Sequence, residues 1–167
     1  HSVDTTTAPD WTCSRGSDMN RSEINGLIIF ANAVTVDPGA DVSIDRFTIV
    51  APSDRTTTRS LFVNGGAAAV ADSLLVGGDA VTVQNNAVAN ATGVYAFNGA
   101  LTLLRNQVFA GSATARDETT GAADAEANTR GIHLEGSSAI VLRNLIQGGD
   151  ADAYAGFNDT LDYVAVT

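Results

Sequence analysis

Charged side chains of both signs occupy one equivalent position in four similar segments of this sequence. The position holds Asp45, Asp72, Arg105 and Arg143 in turn. A carboxylate beside a guanidinium can grip a sugar acid, bind a cation, or act as a catalytic acid whose pKa is depressed. The same two groups on neighbouring segments can also form a plain surface ion pair. These four residues are the catalytic candidates, with a structural ion-pair ladder as the alternative.

A second equivalent position carries rings. After Thr35 in the first segment it holds Phe62, Tyr95 and His133. These side chains lie between residues expected to point inward, so we predict that they point outward. Outward rings can form a platform for sugars or for the apolar surface of a partner protein, and we take the three as ligand-binding candidates. The alternative is that a chain terminus or connector covers them. His133 could act as a general base, but the sequence offers no carboxylate that would hold its imidazole in position.

Acidic residues cluster in the connector between the last two segments. They are Asp117, Glu118, Asp124 and Glu126. Calcium favours such oxygen ligands, but the spacing fits neither an EF-hand nor a glycine-rich calcium repeat. We therefore predict a flexible, solvated loop at 112–131 and expect no metal ligand and no cofactor, with calcium as the alternative.

The candidate residues belong to segments that align without a gap over eighteen positions. The segments are Val34–Ala51, Leu61–Gly78, Val94–Gly111 and Ile132–Gly149. Each opens with apolar residues at alternate positions, which is the period of a β-strand. A turn containing Gly follows, and Gly, Thr and Asn interrupt every window long enough for a helix. The sequence predicts alternating strands and turns in each segment, joined by connectors of different length.

Further equivalent positions follow the first turn of each segment. The second strand is predicted to point Ile44, Ala71, Leu104 and Leu142 inward, and a third apolar group is predicted at Thr48, Leu75, Val108 and Ile146. Arg46, Ser73, Asn106 and Asn144 occupy the turn between them. Because Asn tolerates left-handed backbone and can hydrogen-bond along a stack, we predict a structural ladder at this turn.

Two segments share an Arg-Asn pair that is followed by a glycine: Leu104-Arg105-Asn106 with Gly111, and Leu142-Arg143-Asn144 with Gly149. This pattern resembles the right-handed β-helix superfamily that includes pectate-lyase-like proteins. The resemblance covers residues 27–150. Because no single segment can bury its own apolar face, stacking of the segments predicts an all-β fold, a single-stranded parallel β-helix solenoid of about five coils with terminal caps. The resemblance implies that this β-helix is right-handed and that the protein is a secreted or surface-exposed bacterial protein. We expect residues 1–26 to be an N-terminal cap or extension and 151–167 to be a C-terminal cap or last strand.

Composition and the motifs that are missing disfavour several classes of function. The formal net charge of −10 disfavours nucleic acid and anionic membranes as partners, and no stretch is apolar enough for a membrane span. No complete catalytic signature is present. The leading hypothesis is a noncatalytic extracellular or cell-surface module with a structural or adhesive role, whose partner is a polysaccharide or another protein surface. One alternative is a polysaccharide-binding or polysaccharide-cleaving domain, which as an enzyme would be a polysaccharide lyase or a glycoside hydrolase. The other alternative is an assembly element that stacks end to end or belongs to a larger surface structure.

Overall fold

The computed structural model of the chain describes residues 14–15, 22–25, 32–118 and 124–155, and these residues form strands and turns without a helix. The strands are Ser14–Arg15 (β1), Ser22–Asn25 (β2), Asn32–Val36 (β3), Asp41–Asp45 (β4), Phe47–Val50 (β5), Thr57–Asn64 (β6), Ala67–Ala71 (β7), Leu74–Val76 (β8), Ala80–Val83 (β9), Ala87–Phe97 (β10), Ala100–Leu104 (β11), Gln107–Phe109 (β12), Ala113–Asp117 (β13), Ala125–Glu135 (β14), Ser138–Leu142 (β15), Leu145–Gln147 (β16) and Ala151–Ala155 (β17). The predicted all-β class is confirmed for this part of the chain. None of the described residues belongs to a helix that could cross a membrane.

The strands form four sheets in which every strand pairing is parallel. Sheet A has the order β1-β4-β7-β11-β15, sheet B has β2-β5-β8-β12-β16, sheet C has β3-β6-β10-β14, and sheet D has β9-β13-β17. From β6 onward the chain visits sheets C, A, B and D in the same order three times. We call each such round a repeat, so β3, β4 and β5 belong to the first repeat and β14 to β17 to the fourth. Equivalent residues of successive repeats are therefore direct neighbours across strands.

Sheets A, B and C enclose the larger of two apolar cores. Its fully buried side chains include Leu61 and Val94 from sheet C, Leu103 from sheet A, and Ile49 and Leu75 from sheet B. Alternation along each strand places these side chains on the inner face, as expected of half-buried strands. Burial of this branched apolar surface, at about 25 cal/mol per Å², is the main favourable contribution to folding.

The second core consists entirely of alanine. It lies between sheet D and the first half of the long strands of sheet C, and contains Ala80, Ala87, Ala89, Ala91, Ala113, Ala115 and Ala127. Methyl side chains allow two sheets to approach closely, and there is little room for a larger side chain in such close packing.

This close packing makes a direct prediction for Ala89. Replacing the fully buried Ala89 by Val should lower the free energy of unfolding by about 2 kcal/mol, because the added methyl groups must displace the alanines of sheet D. Urea unfolding followed by circular dichroism measures the change. The neighbouring Val88 points outward and is exposed, so Val88→Leu is the matched control and should leave stability unchanged. Equal effects of the two substitutions would contradict a tightly packed alanine core.

The register corrects two details of the predicted alignment. Val34 pairs with Leu61, but Asp41 pairs with Ala67 and Asp45 with Ala71, so the first repeat holds one extra residue after β3. The extra residue is accommodated in the turn at Asp37–Ala40, where Gly39 has φ +83°. In sheet B this shift places Ile49, rather than the predicted Thr48, opposite Leu75.

The second predicted strand also has the opposite parity in the second and third repeats. Val70 and Leu103 are buried, whereas Ala71 and Leu104 are only half-buried; in the fourth repeat Val141 and Leu142 are both exposed. Both residues of each pair are apolar, so their sequence pattern did not decide which one points inward. Ile44 is buried as predicted and pairs with Val70.

The predicted connectors contain the strands of sheet D. The flexible loop predicted at 112–131 is wrong in most of its length, because β13 and the first half of β14 lie within it. Sheet D continues through β17, whose residues fall in the predicted C-terminal segment 151–167. Most of the segments predicted as caps lie outside the described residues.

Candidate functional site

The Asp/Arg column has a different first member from the predicted one. Asp72, Arg105 and Arg143 occupy the turn after their sheet A strands with φ of 49°, 55° and 57°, and Arg46, with φ 60°, holds this position in the first repeat. Asp45 is instead the last residue of β4, beside Ala71. The extra residue in the first repeat is the reason for the shift. The column therefore reads Arg, Asp, Arg, Arg along the stack.

Asp72 is engaged by the neighbouring repeat. Arg105 donates from Nε to Oδ1 of Asp72 at 2.7 Å and from Nη2 to Oδ2 at 2.5 Å, so the guanidinium covers both carboxylate oxygens. The hydrogen bond to Asp72 and then its charge raise the pKa of Arg105. Asp45 contacts Arg46, with 3.3 Å between Oδ2 and Nε. Both carboxylates of the predicted catalytic set thus contact guanidiniums, and Arg143 lies one repeat beyond Arg105.

The turn after this column forms a hydrogen-bonded ladder, as predicted. Asn106 accepts from the backbone N–H of Ser73 through Oδ1 at 2.9 Å and donates from Nδ2 to the Val70 carbonyl at 2.8 Å. Asn144 repeats the arrangement one step on, accepting from the Asn106 N–H at 2.7 Å. Ser73 Oγ accepts from the Phe47 N–H, so Phe47, rather than the predicted Arg46, stands opposite Ser73. These amides satisfy buried backbone groups and have a structural role.

The predicted aromatic column is present on the outer face of sheet C. Phe62 pairs with Tyr95 and Tyr95 with His133, and all three side chains are half-buried. The Phe62 and Tyr95 ring centroids are 5.2 Å apart with planes at 15°, and the Tyr95 and His133 centroids are 4.7 Å apart at 16°. The rings therefore stack face to face along the column. Tyr95 therefore has a ring against each of its faces and does not offer an open face for sugar stacking.

Several residues around the rings were not identified from the sequence. The Arg59 guanidinium lies 5.0 Å from the Phe62 centroid and 4.9 Å from the Tyr95 centroid, at cation–π distance. On the other side, Tyr95 Oη donates to Glu135 Oε2 at 2.7 Å. Arg59, Thr92 and Arg130 share one register position, two residues before each aligned segment. Extending the alignment by two residues at its start would have found this row.

The charges around the rings shift their pKa values in opposite directions. The hydrogen bond to Glu135 raises the pKa of Tyr95, with burial adding to the effect. Burial lowers the pKa of His133, and the charge of Arg130 lowers it further, against an opposing contribution from Glu135. Burial also lowers the pKa of Arg59. The lowered pKa favours the neutral form of His133.

The lowered pKa of His133 predicts a pH-dependent stability. A histidine with a folded-state pKa below its unfolded value of about 6.5 binds fewer protons in the folded protein, so its contribution is complete above that pH and is lost as the pH falls below it. The free energy of unfolding should therefore decrease from about pH 7 to 5.5, as measured by urea unfolding at several pH values. His133→Gln should reduce this slope. An unchanged slope in the variant would assign the dependence to other groups.

The acidic connector does not gather a ligand set for calcium. Asp117 is buried and its Oδ2 accepts from the backbone N–H of Asn86 at 2.8 Å and of Asp124 at 3.0 Å. Glu126 instead accepts from Asn128 Nδ2 at 2.7 Å. Among the described residues, no three His, Cys, Asp or Glu side chains are grouped so that they could hold a metal ion.

The site that the geometry brings together is thus the outer face of sheet C, where an aromatic stack is flanked by arginines and a glutamate. The Asp/Arg column lies apart from it, in the turns that follow sheet A. No protein-family profile, curated protein or solved structure matches this chain.

Proposed function

We propose that this chain is a noncatalytic structural or adhesive module of an extracellular or cell-surface protein. The single observation that carries the proposal is that a central member of each candidate column is engaged by a neighbouring repeat. Asp72 gives both carboxylate oxygens to Arg105, and Tyr95 lies between the rings of Phe62 and His133. An ion pair and stacked rings that join neighbouring repeats stabilise the stack.

The proposed architecture is a right-handed parallel β-helix of about five coils. Its support is the constant order of sheets C, A, B and D and the parallel pairing of each strand with its equivalent in the next repeat. Sheets A and B each contain five strands, which fits five layers. The handedness and the extracellular location rest on the resemblance to pectate-lyase-like proteins.

A second candidate, an assembly element, is favoured by the end of the stack. The fourth repeat supplies an edge strand to every sheet: β14, β15, β16 and β17. Large apolar side chains are exposed there, namely Leu134, Ile140, Val141, Leu142, Leu145, Ile146 and Tyr154. In the part of the chain that the structure describes, no further strand pairs with these edges, and edges with exposed apolar residues are sites at which strands of another copy can add.

One experiment separates the module from an enzyme. The purified chain is incubated with neutral and acidic polysaccharides, with and without calcium, and retained protein and new chain ends are measured in the same tubes. We expect no new chain ends. New ends that disappear in Asp72→Asn would overturn the noncatalytic proposal and make the Asp/Arg column the active site. Retention without cleavage, lost in Tyr95→Ala while the fold persists, would identify the polysaccharide as the adhesive partner.

Assembly is tested by sedimentation at increasing protein concentration. If the fourth repeat is an interface, growth with concentration should be blocked by Ile140→Asp. Val88→Asp is the control, because Val88 is exposed on β10, an inner strand of sheet C, and so lies at neither end of the stack. A concentration-independent monomer would reject the assembly role and leave the module role standing.

A further inference from the structure

Two arginines lie in one row on the outer face of sheet C. Arg59 on β6 pairs with Thr92 on β10, and Thr92 pairs with Arg130 on β14. Two strand spacings place their Cα atoms about 10 Å apart, and both side chains are long enough to reach a group held between them. Thr92, the residue between them, carries no charge. The row runs beside the Phe62–Tyr95–His133 stack.

Neither arginine meets a carboxylate in the part of the chain that the structure describes. The ion pairs found there join Asp45 to Arg46 and Asp72 to Arg105. Arg59 donates from Nη1 to Asn32 Oδ1 at 3.2 Å, and Arg130 donates from Nη2 to Asn128 Oδ1 at 3.3 Å. Burial lowers the pKa of Arg59, as expected for a half-buried cation that lacks a counter-ion.

The two carboxylates of β14, the strand that carries Arg130, are directed to neutral donors. Glu135 accepts from the Tyr95 hydroxyl, and Glu126 accepts from the Asn128 amide. In a chain with a formal net charge of −10, two arginines in one row that form no ion pair with a described carboxylate are an exception. Guanidinium groups bind oxyanions through charge-assisted, often bidentate hydrogen bonds, and this makes an anion the complementary ligand.

We propose that the row between Arg59 and Arg130 binds an oxyanion group, a carboxylate or a sulfate, carried by an acidic ligand. The inference deepens the proposed adhesive role by naming the chemistry that the outer face of sheet C recognises. The edge of the aromatic stack then contacts the apolar part of the ligand beside the anion, while the two arginines set its position along the face.

His133 provides a direct reporter of this binding. Its pKa is depressed partly by the charges of Arg130 and Arg59, so an oxyanion held by these arginines should raise it. The pKa is measured by proton NMR of the imidazole in sodium acetate and in sodium sulfate, each against sodium chloride at the same ionic strength. His133→Gln distinguishes its signal from that of His1. We expect a saturable rise with at least one oxyanion, and the salt that produces it identifies the group.

Substitutions decide whether the arginines are responsible. Arg59→Gln combined with Arg130→Gln should abolish the oxyanion-dependent rise, and Arg130→Gln alone should weaken it at least threefold in apparent affinity. Arg116→Gln, on the outer face of sheet D, is the control and should retain the full response. No rise beyond that in chloride, or the same rise in the double variant, would overturn the inference. Chain ends appearing in the polysaccharide assay would overturn the noncatalytic proposal without affecting this titration.

Discussion

We expect the Gly111→Ala variant to be less stable than the wild-type protein by about 3 kcal/mol or more in free energy of unfolding. A methyl group at Gly111 would overlap the Gly78 carbonyl and come within 2.8 Å of the Asp79 nitrogen. Both atoms are backbone of the neighbouring repeat, so no side-chain rotation relieves the clash. Gly149 meets the Gly111 carbonyl in the same way, so the clash recurs at each step of this column.

Gly148 provides the control for this effect. A methyl group there would find its nearest neighbour, Thr129 Oγ1, at 3.7 Å, which is an ordinary contact. Gly148→Ala should therefore leave the urea midpoint unchanged or slightly raised, since alanine reduces the freedom of the unfolded chain. Similar losses at the two positions would show that glycine flexibility, and not the close approach of the repeats, determines stability.

The sequence contained enough information for the repeats and for the aromatic column. Phe62, Tyr95 and His133 were aligned correctly because the strands of sheet C pair without an insertion from the second repeat to the fourth. In these strands the alternation of apolar residues was enough to predict which side chains point outward, because polar or aromatic residues separate the inward-pointing apolar residues. The Asn ladder was found for the same reason.

The Asp/Arg column was misaligned at its first member because both alternatives were chemically plausible. Asp45 and Arg46 are adjacent, and either one completes a column of charged residues. Only the pairing of Asp41 with Ala67 shows the extra residue in the Asp37–Ala40 turn. Turn length is set by local backbone geometry, here including the positive φ of Gly39, and an alignment without gaps cannot detect it.

Sheet D was missed because alanine gives a weak strand signal. Its inner face is made of small side chains such as Ala80 and Ala113, and alanine is depleted in strands in general. These segments form strands because close packing against sheet C buries both surfaces, which is a tertiary effect. The Arg59–Arg130 row could not be predicted from the alignment, because it lies two residues before the aligned segments.

The second large effect is expected at Asn106, which is 2% exposed. Asn106→Ala should lower the free energy of unfolding by about 3 kcal/mol, because two buried backbone groups, the Ser73 N–H and the Val70 carbonyl, each lose their side-chain partner. Urea unfolding measures the loss. Asn144→Ala should have a smaller effect, of about 1 kcal/mol, because water can reach the end of the ladder in the fourth repeat.

A conservative variant at Asn106 separates lost hydrogen bonds from lost packing. Ser73 holds the equivalent position one repeat earlier, where its hydroxyl accepts from the Phe47 N–H at 3.1 Å and donates to the Ala71 carbonyl at 2.7 Å. Asn106→Ser should therefore recover part of the stability lost in Asn106→Ala, because a hydroxyl can again accept from the Ser73 N–H. If serine and alanine at 106 were equally destabilising, the ladder would act through the volume of the amide, and the hydrogen bonds between repeats would contribute little to the stability of the stack.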